Sequence, residues 1–289
     1  YDFDLLPIPF RCNAFDIISG KEVVIKQGSL AHALASRDLC TTVSLIDDSH
    51  DVATAKALDI AQAGPIESFR TQLKADVDLT ATKSANLVIL AGPASNPDTE
   101  WDETTGLKQL HQLKKINRQA IVICAGSQHS GLIELGVHKA AISPYRLIGT
   151  APEAYRAAVR ALVALEVGCP ASVVSLTLFG GAPDRFVISW SQATIDGSLL
   201  EDRVSAARMA RLRNRVAALW PPGPYALAEA AVHVVRCITT GSKKMPCCFV
   251  VPERLSGSRQ RVFVSPVEFN SLGVAQLAKP NLNTRERNL

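Results

Sequence analysis

The feature that most constrains the fold is an alternation of short apolar segments with amphipathic ones along residues 21–149. Two of the apolar segments, "NLVILAG" and "QAIVICAG", are continuous runs that end in glycine. Strands that are covered on both faces of a sheet have this pattern. Between two strand-like segments, "DVATAKALDIAQA" has its apolar residues at helical spacing. Strands that alternate with helices in this way predict an α/β fold with a doubly wound parallel sheet.

The second half of the chain has a different character. Long helical patterns such as "AYRAAVRALVALEVG" stand beside clustered strand patterns such as "ASVVSLTLFGG", which predicts an α+β second domain. Residues 1–20 show no clean period and contain two prolines and four aromatic residues. We therefore expect an N-terminal extension at 1–20, a first domain at 21–149 and a second domain at 150–289. The extension is predicted to be an extended arm that packs against another surface.

Composition excludes several classes of function. The hydrophobic fraction of 47% and the charged fraction of 20% are those of an ordinary globular protein. The longest apolar runs are too short to cross a bilayer, so no membrane span is expected. A net charge of +4 is too small to indicate nucleic acid binding. The seven cysteines form no CxxC pair, which favours free thiols in a reducing compartment. The six histidines show no metal-ligand spacing, so no metal site is expected.

The segment "VVIKQGSLAHALA" follows a predicted strand and begins a predicted helix, as the phosphate loop of a dinucleotide-binding fold does. Such a loop has glycine at three positions, which are Lys26, Gly28 and Ala31 here. Only the glycine that lets the backbone approach the pyrophosphate is kept. Asp47 ends the next strand, about 20 residues further on, where an acidic residue would bind a ribose hydroxyl. Lys26 either contacts a phosphate or crowds the loop.

Several longer segments strengthen this signal. "AKALDIAQAGPIESF", "NLVILAGPASNP", "KKMPCCFVVP" and "RVFVSPVEFNSLGVAQL" resemble, in order and spacing, segments of the lactate/malate dehydrogenase family. The most similar group is the lactate-dehydrogenase-like malate dehydrogenases. The resemblance extends from about Lys21 to Lys279. It implies a Rossmann-type first domain followed by the α+β second domain of this family.

The resemblance also assigns positions for catalysis. In the family, a histidine in a "GGHGD"-like turn exchanges the substrate proton, and a helical aspartate orients that histidine. An arginine three residues beyond the aspartate binds the substrate carboxylate, two loop arginines contact the substrate, and an asparagine adds a hydrogen bond. Without gaps, these positions hold Ala182, Tyr155, Ala158, Ser95, Trp101 and Ser127. The cofactor positions that remain are Gly28, Asp47 and Gly92.

These substitutions predict a pseudoenzyme, because alanine cannot hold a proton and tyrosine is not an anion at neutral pH. No cofactor is expected, with NAD binding left as an alternative. The predicted role is that of a structural subunit or scaffold in a protein complex, as a homodimer or with a homologue. The predicted location is the mitochondrion, with the cytoplasm as the alternative. A sensor that binds NAD without turnover is the second hypothesis.

The third hypothesis is an oxidoreductase with an altered substrate. A two-residue gap brings Glu153 and Arg156 to the aspartate and arginine positions, and His129 is a candidate base. His233 falls inside a predicted helix and is interpreted as structural. The arginines of "RVSAARMARLRNRVAALW" indicate either a solvated helix face or a docking surface for an acidic partner or RNA.

Overall fold

The computed structural model of the chain describes residues 13–14, 22–23, 28–47, 49–91, 103–181, 185–252 and 261–287. Within these ranges the predicted alternation of strands and helices is confirmed. The elements of the first half are β1 (Asn13–Ala14), β2 (Glu22–Val23), α1 (Gly28–Ala35), β3 (Thr42–Ile46), α2 (His50–Glu67), β4 (Gln72–Asp76), β5 (Leu87–Leu90), α3 (Glu103–Ile116), β6 (Ile121–Cys124), α4 (Ser130–His138) and β7 (Leu147–Gly149).

The first half contains two parallel sheets. β2, β3 and β4 pair side by side in parallel, and β5, β6 and β7 do the same. All residues of β3, β5, β6 and β7 are buried, which explains their continuous apolar sequences. Because α3 and α4 connect parallel neighbours, the carboxyl ends of β5, β6 and β7 meet at one edge of their sheet.

The N-terminal arm is described at only two residues, and these form a strand. β1 pairs antiparallel with β5, with Asn13 opposite Leu90 and Ala14 opposite Ile89. This short part of the predicted arm therefore packs on the chain's own sheet. The rest of the arm lies outside the described residues. The boundaries between the three predicted parts of the chain stay predictions.

The second half contains longer helices and antiparallel strands, as the α+β prediction requires. Its elements are α5 (Ala151–Val167), β8 (Val174–Ser175), β9 (Leu178–Gly181), β10 (Arg185–Ile188), β11 (Thr194–Ile195), β12 (Ser198–Leu199), α6 (Leu200–Arg203), α7 (Ala206–Val216), α8 (Pro224–Thr240), β13 (Cys247–Val250), β14 (Phe263–Asn270), β15 (Gly273–Leu277) and α9 (Thr284–Arg287).

One long predicted helix is interrupted. The pattern of "LLEDRVSAARMARLRNRVAALW" predicts a single helix over 199–220, but Val204 is extended between α6 and α7. The hydroxyl of Ser205 then accepts a hydrogen bond from the backbone N–H of Arg208 and caps α7. Serine is a favoured N-cap because its side chain satisfies an amide group that the first turn leaves unpaired.

The two halves share one sheet. The strand order is β1-β5-β6-β7-β13-β14-β9-β10, and β15 pairs with β14. The junction is the antiparallel pairing of Gly149 in β7 with Phe249 in β13. The helix α5 leaves the sheet at this junction and packs against α8 and β13. In the described part of the chain, no helix is long and apolar enough to cross a membrane.

Candidate active site

The structure describes some of the predicted site positions and not others. Ala182, Ser95, Trp101 and Gly92 lie outside the described residues. Tyr155 is buried, Ser127 is buried in the turn after β6, and Ala158 is half-buried on α5. Gly28 begins α1, and Asp47 follows β3.

Tyr155, at the family's aspartate position, belongs to an aromatic cluster. Its ring stacks on Phe186 with a centroid distance of 4.8 Å and meets Trp220 edge-on at 5.9 Å. The ring centroid of Phe249 lies 6.3 Å from the ring centroids of both Phe186 and Trp220. The Tyr155 hydroxyl donates a hydrogen bond to the buried carbonyl of Val216 at 3.1 Å. Tyr155 therefore joins α5 to the end of α7 by packing and by one hydrogen bond.

Glu153, two residues earlier, is the centre of a polar cluster. Its Oε1 atom accepts a hydrogen bond from Nη2 of Arg156 at 2.7 Å and is 3.0 Å from Nδ1 of His233. Its Oε2 atom accepts the backbone N–H of Cys247 at 2.8 Å. The Glu153 side chain is 6% exposed, and those of Arg156 and His233 are 17% and 29% exposed. A buried carboxylate is thus held by one charged group, one imidazole and one amide.

These contacts fix the protonation states of the cluster. Burial by itself raises the pKa of Glu153, but the hydrogen bond from His233, the charge and hydrogen bond of Arg156 and the Cys247 amide outweigh it, so the pKa lies below its ordinary value. Hydrogen bonds with Cys237 and with Glu153 raise the pKa of His233 to about 9, against the opposing effect of burial. At neutral pH the pair is therefore a carboxylate and an imidazolium ion.

The cluster lies at the edge of the sheet where strands end. Glu153 is in the first turn of α5, directly after β7. His129, the other candidate base, lies in the turn after the neighbouring strand β6 and is 2% exposed. Its Nδ1 atom accepts the backbone N–H of Gly126 at 3.1 Å. This contact assigns the proton of a neutral ring to Nε2, so Nδ1 is already used in holding the turn.

The described residues fit a dinucleotide such as NAD. The amide groups at the start of α1 suit a pyrophosphate, because a helix N-terminus favours negative charge. The carboxylate of Asp47 suits ribose hydroxyls, and its Oδ1 atom accepts the backbone N–H of Ser49 at 3.0 Å. Within the described ranges, no group of three or more His, Cys, Asp and Glu side chains is arranged to hold a metal ion.

No protein-family model matches the chain. The malate dehydrogenase of Neorickettsia sennetsu is 24% identical to it over 91% of this chain and 90% of the relative. The malate dehydrogenase of Roseiflexus sp. is also 24% identical, over 89% and 88%. This chain is therefore similar to malate dehydrogenases over nearly its whole length. The match runs over nearly the full length of both relatives, so the resemblance deduced from the short segments is confirmed.

Solved structures of the family have the same fold. The lactate dehydrogenase of Cryptosporidium parvum, complexed with lactic acid and nicotinamide adenine dinucleotide (NAD), is similar with a TM-score of 0.80, 19% identity and coverage of 90% and 89% of the two chains. The malate dehydrogenase of the same organism gives a TM-score of 0.81 at 20% identity, with 90% of each chain covered. The predicted fold, a Rossmann-type sheet followed by the second domain of the family, is confirmed.

The prediction of a pseudoenzyme is wrong. The relatives that match this chain along its length are named malate dehydrogenases, and the structural neighbours are dehydrogenases. The residue types at the ungapped family positions were not enough to exclude dehydrogenase activity. A carboxylate, a histidine and a guanidinium can come together from other positions, as Glu153, His233 and Arg156 do here.

The prediction that no cofactor is expected is also contradicted, because a structural neighbour is a dehydrogenase solved with NAD. The inference rested on two missing glycines in one turn. Those glycines affect how closely the backbone approaches the pyrophosphate, but they do not remove the N-terminus of α1 or the carboxylate of Asp47.

Sequence reasoning missed His233. Glu153 and Arg156 could be recognised as an acidic and a basic residue three positions apart on one helix. His233 lies 80 residues beyond Glu153 on another helix, and its neighbours in sequence are buried valines. No local pattern marks it as the partner of a carboxylate.

Proposed function

We propose that this chain is an NAD-dependent oxidoreductase of the lactate/malate dehydrogenase family that acts on a small hydroxy or oxo acid, with a substrate altered from that of its relatives. The reaction class is supported by the whole-length similarity of this chain to relatives that are named malate dehydrogenases. The altered substrate is supported by Tyr155 and Ala158, which stand where the family places an acid and a carboxylate-binding arginine.

The observation that carries the proposal is the pair formed by Glu153 and His233. A histidine held at Nδ1 by a buried carboxylate is oriented for proton transfer, and the carboxylate stabilises the imidazolium form. His233 is proposed to give its proton to the oxo group during reduction and to take it back during oxidation. Arg156 keeps Glu153 ionised, because its guanidinium lies against the same carboxylate oxygen.

The cofactor would be held by the first turn of α1, from Gly28, and by Asp47. Bound NAD supplies the hydride acceptor in one direction and the donor in the other. His129 is a second candidate for the proton-transfer group, but it is buried and its Nδ1 atom is already bonded to Gly126. Membership of a larger assembly and a mitochondrial location stay predictions, and both are compatible with an enzyme.

The test is a spectrophotometric assay of NADH oxidation with pyruvate, oxaloacetate and longer 2-oxo acids. We expect turnover of at least one substrate, and a loss of about 100-fold or more in kcat for His233→Gln. The matched control is His138→Gln, because His138 is exposed at the end of α4, and its kcat should be unchanged. If His233→Gln kept full activity while His129→Gln lost it, the proton-transfer role would move to His129. Absence of turnover with every acid would reject the proposal.

A further inference from the structure

The helix α7 has two stripes with the same spacing. Positions three and four residues apart lie on one side of a helix, so two interleaved sets of this kind form two adjacent faces. The buried set is Met209, Leu212 and Val216, and the arginine set is Arg208, Arg211 and Arg215. We call the second set the arginine face. The apolar stripe fixes α7 against the core, and this anchoring determines where the arginine face points.

The arginine face surrounds a single carboxylate. Glu166 is near the end of α5. Its Oε1 atom lies 3.3 Å from Nε of Arg208 and 3.1 Å from Nη2 of Arg211, and its Oε2 atom lies 3.7 Å from Nη1 of Arg215. Its side chain is 14% exposed, whereas the three arginine side chains are 47%, 65% and 60% exposed. One carboxylate cannot neutralise three guanidinium groups, so the face keeps an excess of two positive charges.

The same end of α5 also carries an exposed apolar residue. Leu165, the residue before Glu166, is 82% exposed. Exposed leucines are common, but this one is adjacent in sequence to the carboxylate that three guanidinium groups surround, so the end of α5 and the arginine face together offer an apolar and a cationic part. The common carboxylate also restrains the arginines, so less side-chain freedom is lost when they bind another anion.

We infer that the arginine face and Leu165 form a docking surface for an acidic protein segment that carries an apolar residue. Carboxylates of such a segment would share the exposed N–H groups of the arginines, and its apolar side chain would cover Leu165. A second copy of this chain is a poor fit in a symmetric contact, because the arginine face of one copy would lie against the arginine face of the other. RNA fits less well, because α7 has no aromatic residue on which a base could stack.

Charge contacts of this exposed kind act mainly on the rate and orientation of association and weaken with added salt. The binding affinity should therefore be high at low ionic strength and should fall steeply as salt is added. The proposal is independent of the oxidoreductase reaction, because Glu153 and His233 belong to neither set of α7 residues.

The experiment measures the anisotropy of a fluorescent peptide of Glu-Glu-Leu repeats with the full chain. Arg208→Glu, Arg211→Glu and Arg215→Glu together should weaken binding by at least about tenfold. Leu165→Ser should weaken it by about threefold. The matched control reverses three exposed cations elsewhere, Lys108→Glu, Lys115→Glu and Arg118→Glu, and should change binding by less than about twofold. If the triple variant fails to fold, Arg211→Ala replaces it, since Arg211 is the most exposed of the three.

Four results would overturn the inference. The control could weaken binding as much as the triple variant, which would mean that only the total charge matters. Poly(A) RNA of equal charge could bind more tightly than the peptide, which would make nucleic acid the better occupant. The peptide could also bind wild type and triple variant alike, or not at all.

Discussion

Oε1 of Glu153 and Nδ1 of His233 lie 3.0 Å apart and connect the first turn of α5 to the middle of α8. The same carboxylate also accepts a backbone amide of β13 through its other oxygen. One side chain therefore joins two helices and a strand, and it does so as an ion. Both the proposed chemistry and the stability of this region depend on that charge.

Glu153→Gln should destabilise the protein by about 3 kcal/mol, because it leaves Arg156 without its buried counter-charge and places an amide where a carboxylate accepted three donors. The measurement is the free energy of unfolding in urea at pH 7. The control is Glu229→Gln, which removes a 56% exposed partner of Arg37 and should cost less than about 1 kcal/mol. Equal losses in the two variants would show that the burial of Glu153 has no special effect.

The stability of the protein should depend on pH through His233. Its pKa is about 9 in the folded state and about 6.5 in an unfolded chain. The ion pair of His233 with Glu153 therefore makes its full contribution to the free energy of unfolding below about pH 6.5, and this contribution is lost as the pH rises through 9. Glu153, whose pKa is lowered, behaves in the opposite way: its contribution is present above about pH 4.3 and is lost in acid.

The measurable quantity is the difference in unfolding free energy between wild type and His233→Gln at each pH. We expect it to fall by about 2 kcal/mol between pH 6 and pH 9.5, less than the whole pKa shift implies, because the imidazole is 29% exposed. A difference that stayed constant over this range would mean that His233 keeps its ordinary pKa.

The two glycines that end β9 should respond very differently to alanine. Gly180 has a φ of +120°, and a Cβ atom there would lie 2.1 Å from the carbonyl oxygen of Arg185. Gly181→Ala is the matched neighbour, since its Cβ atom would be 4.0 Å from the nearest heavy atom, Cβ of Arg185. Gly180→Ala should cost at least about 2 kcal/mol, and Gly181→Ala less than about 0.5 kcal/mol. Thermal unfolding followed by circular dichroism would separate them.

Tyr155 should contribute more by its ring than by its hydroxyl. Tyr155→Phe removes one hydrogen bond to the buried Val216 carbonyl and should cost about 1 kcal/mol. Tyr155→Ala also opens a cavity beside Phe186 and Trp220, and should cost about 3–5 kcal/mol. Tyr225→Phe, at a 70% exposed position, is the control and should leave the free energy of unfolding unchanged. A loss in Tyr155→Phe as large as in Tyr155→Ala would contradict this division.

The parallel strands and their helices could be predicted because each leaves a local periodic pattern. β5 and β6 are apolar at every position, and this alone indicates burial on both faces. The start of α7 could also have been predicted, since serine in front of a helical pattern is a favoured N-cap and Ser205 has that role.

The polar cluster could not be predicted in full, because its partners are far apart in sequence and no period connects them. Glu153 and Arg156 were identifiable as neighbours on a helix, yet their orientation toward His233 depends on how α5 packs against α8. The antiparallel pairing of β1 with β5 was equally hidden, since a strand of two residues has no measurable alternation.

The pairing of Gly149 with Phe249 sets an order of events during translation. When β7 leaves the ribosome, the strand that will cover its outer edge has not been made and follows about 100 residues later. At typical rates of synthesis this is a delay of about 5–20 s. During that time an apolar strand has an open edge, which is the kind of surface that aggregates or binds chaperones. Slowing translation between these two strands should therefore make the nascent protein more dependent on chaperones than slowing it after β13.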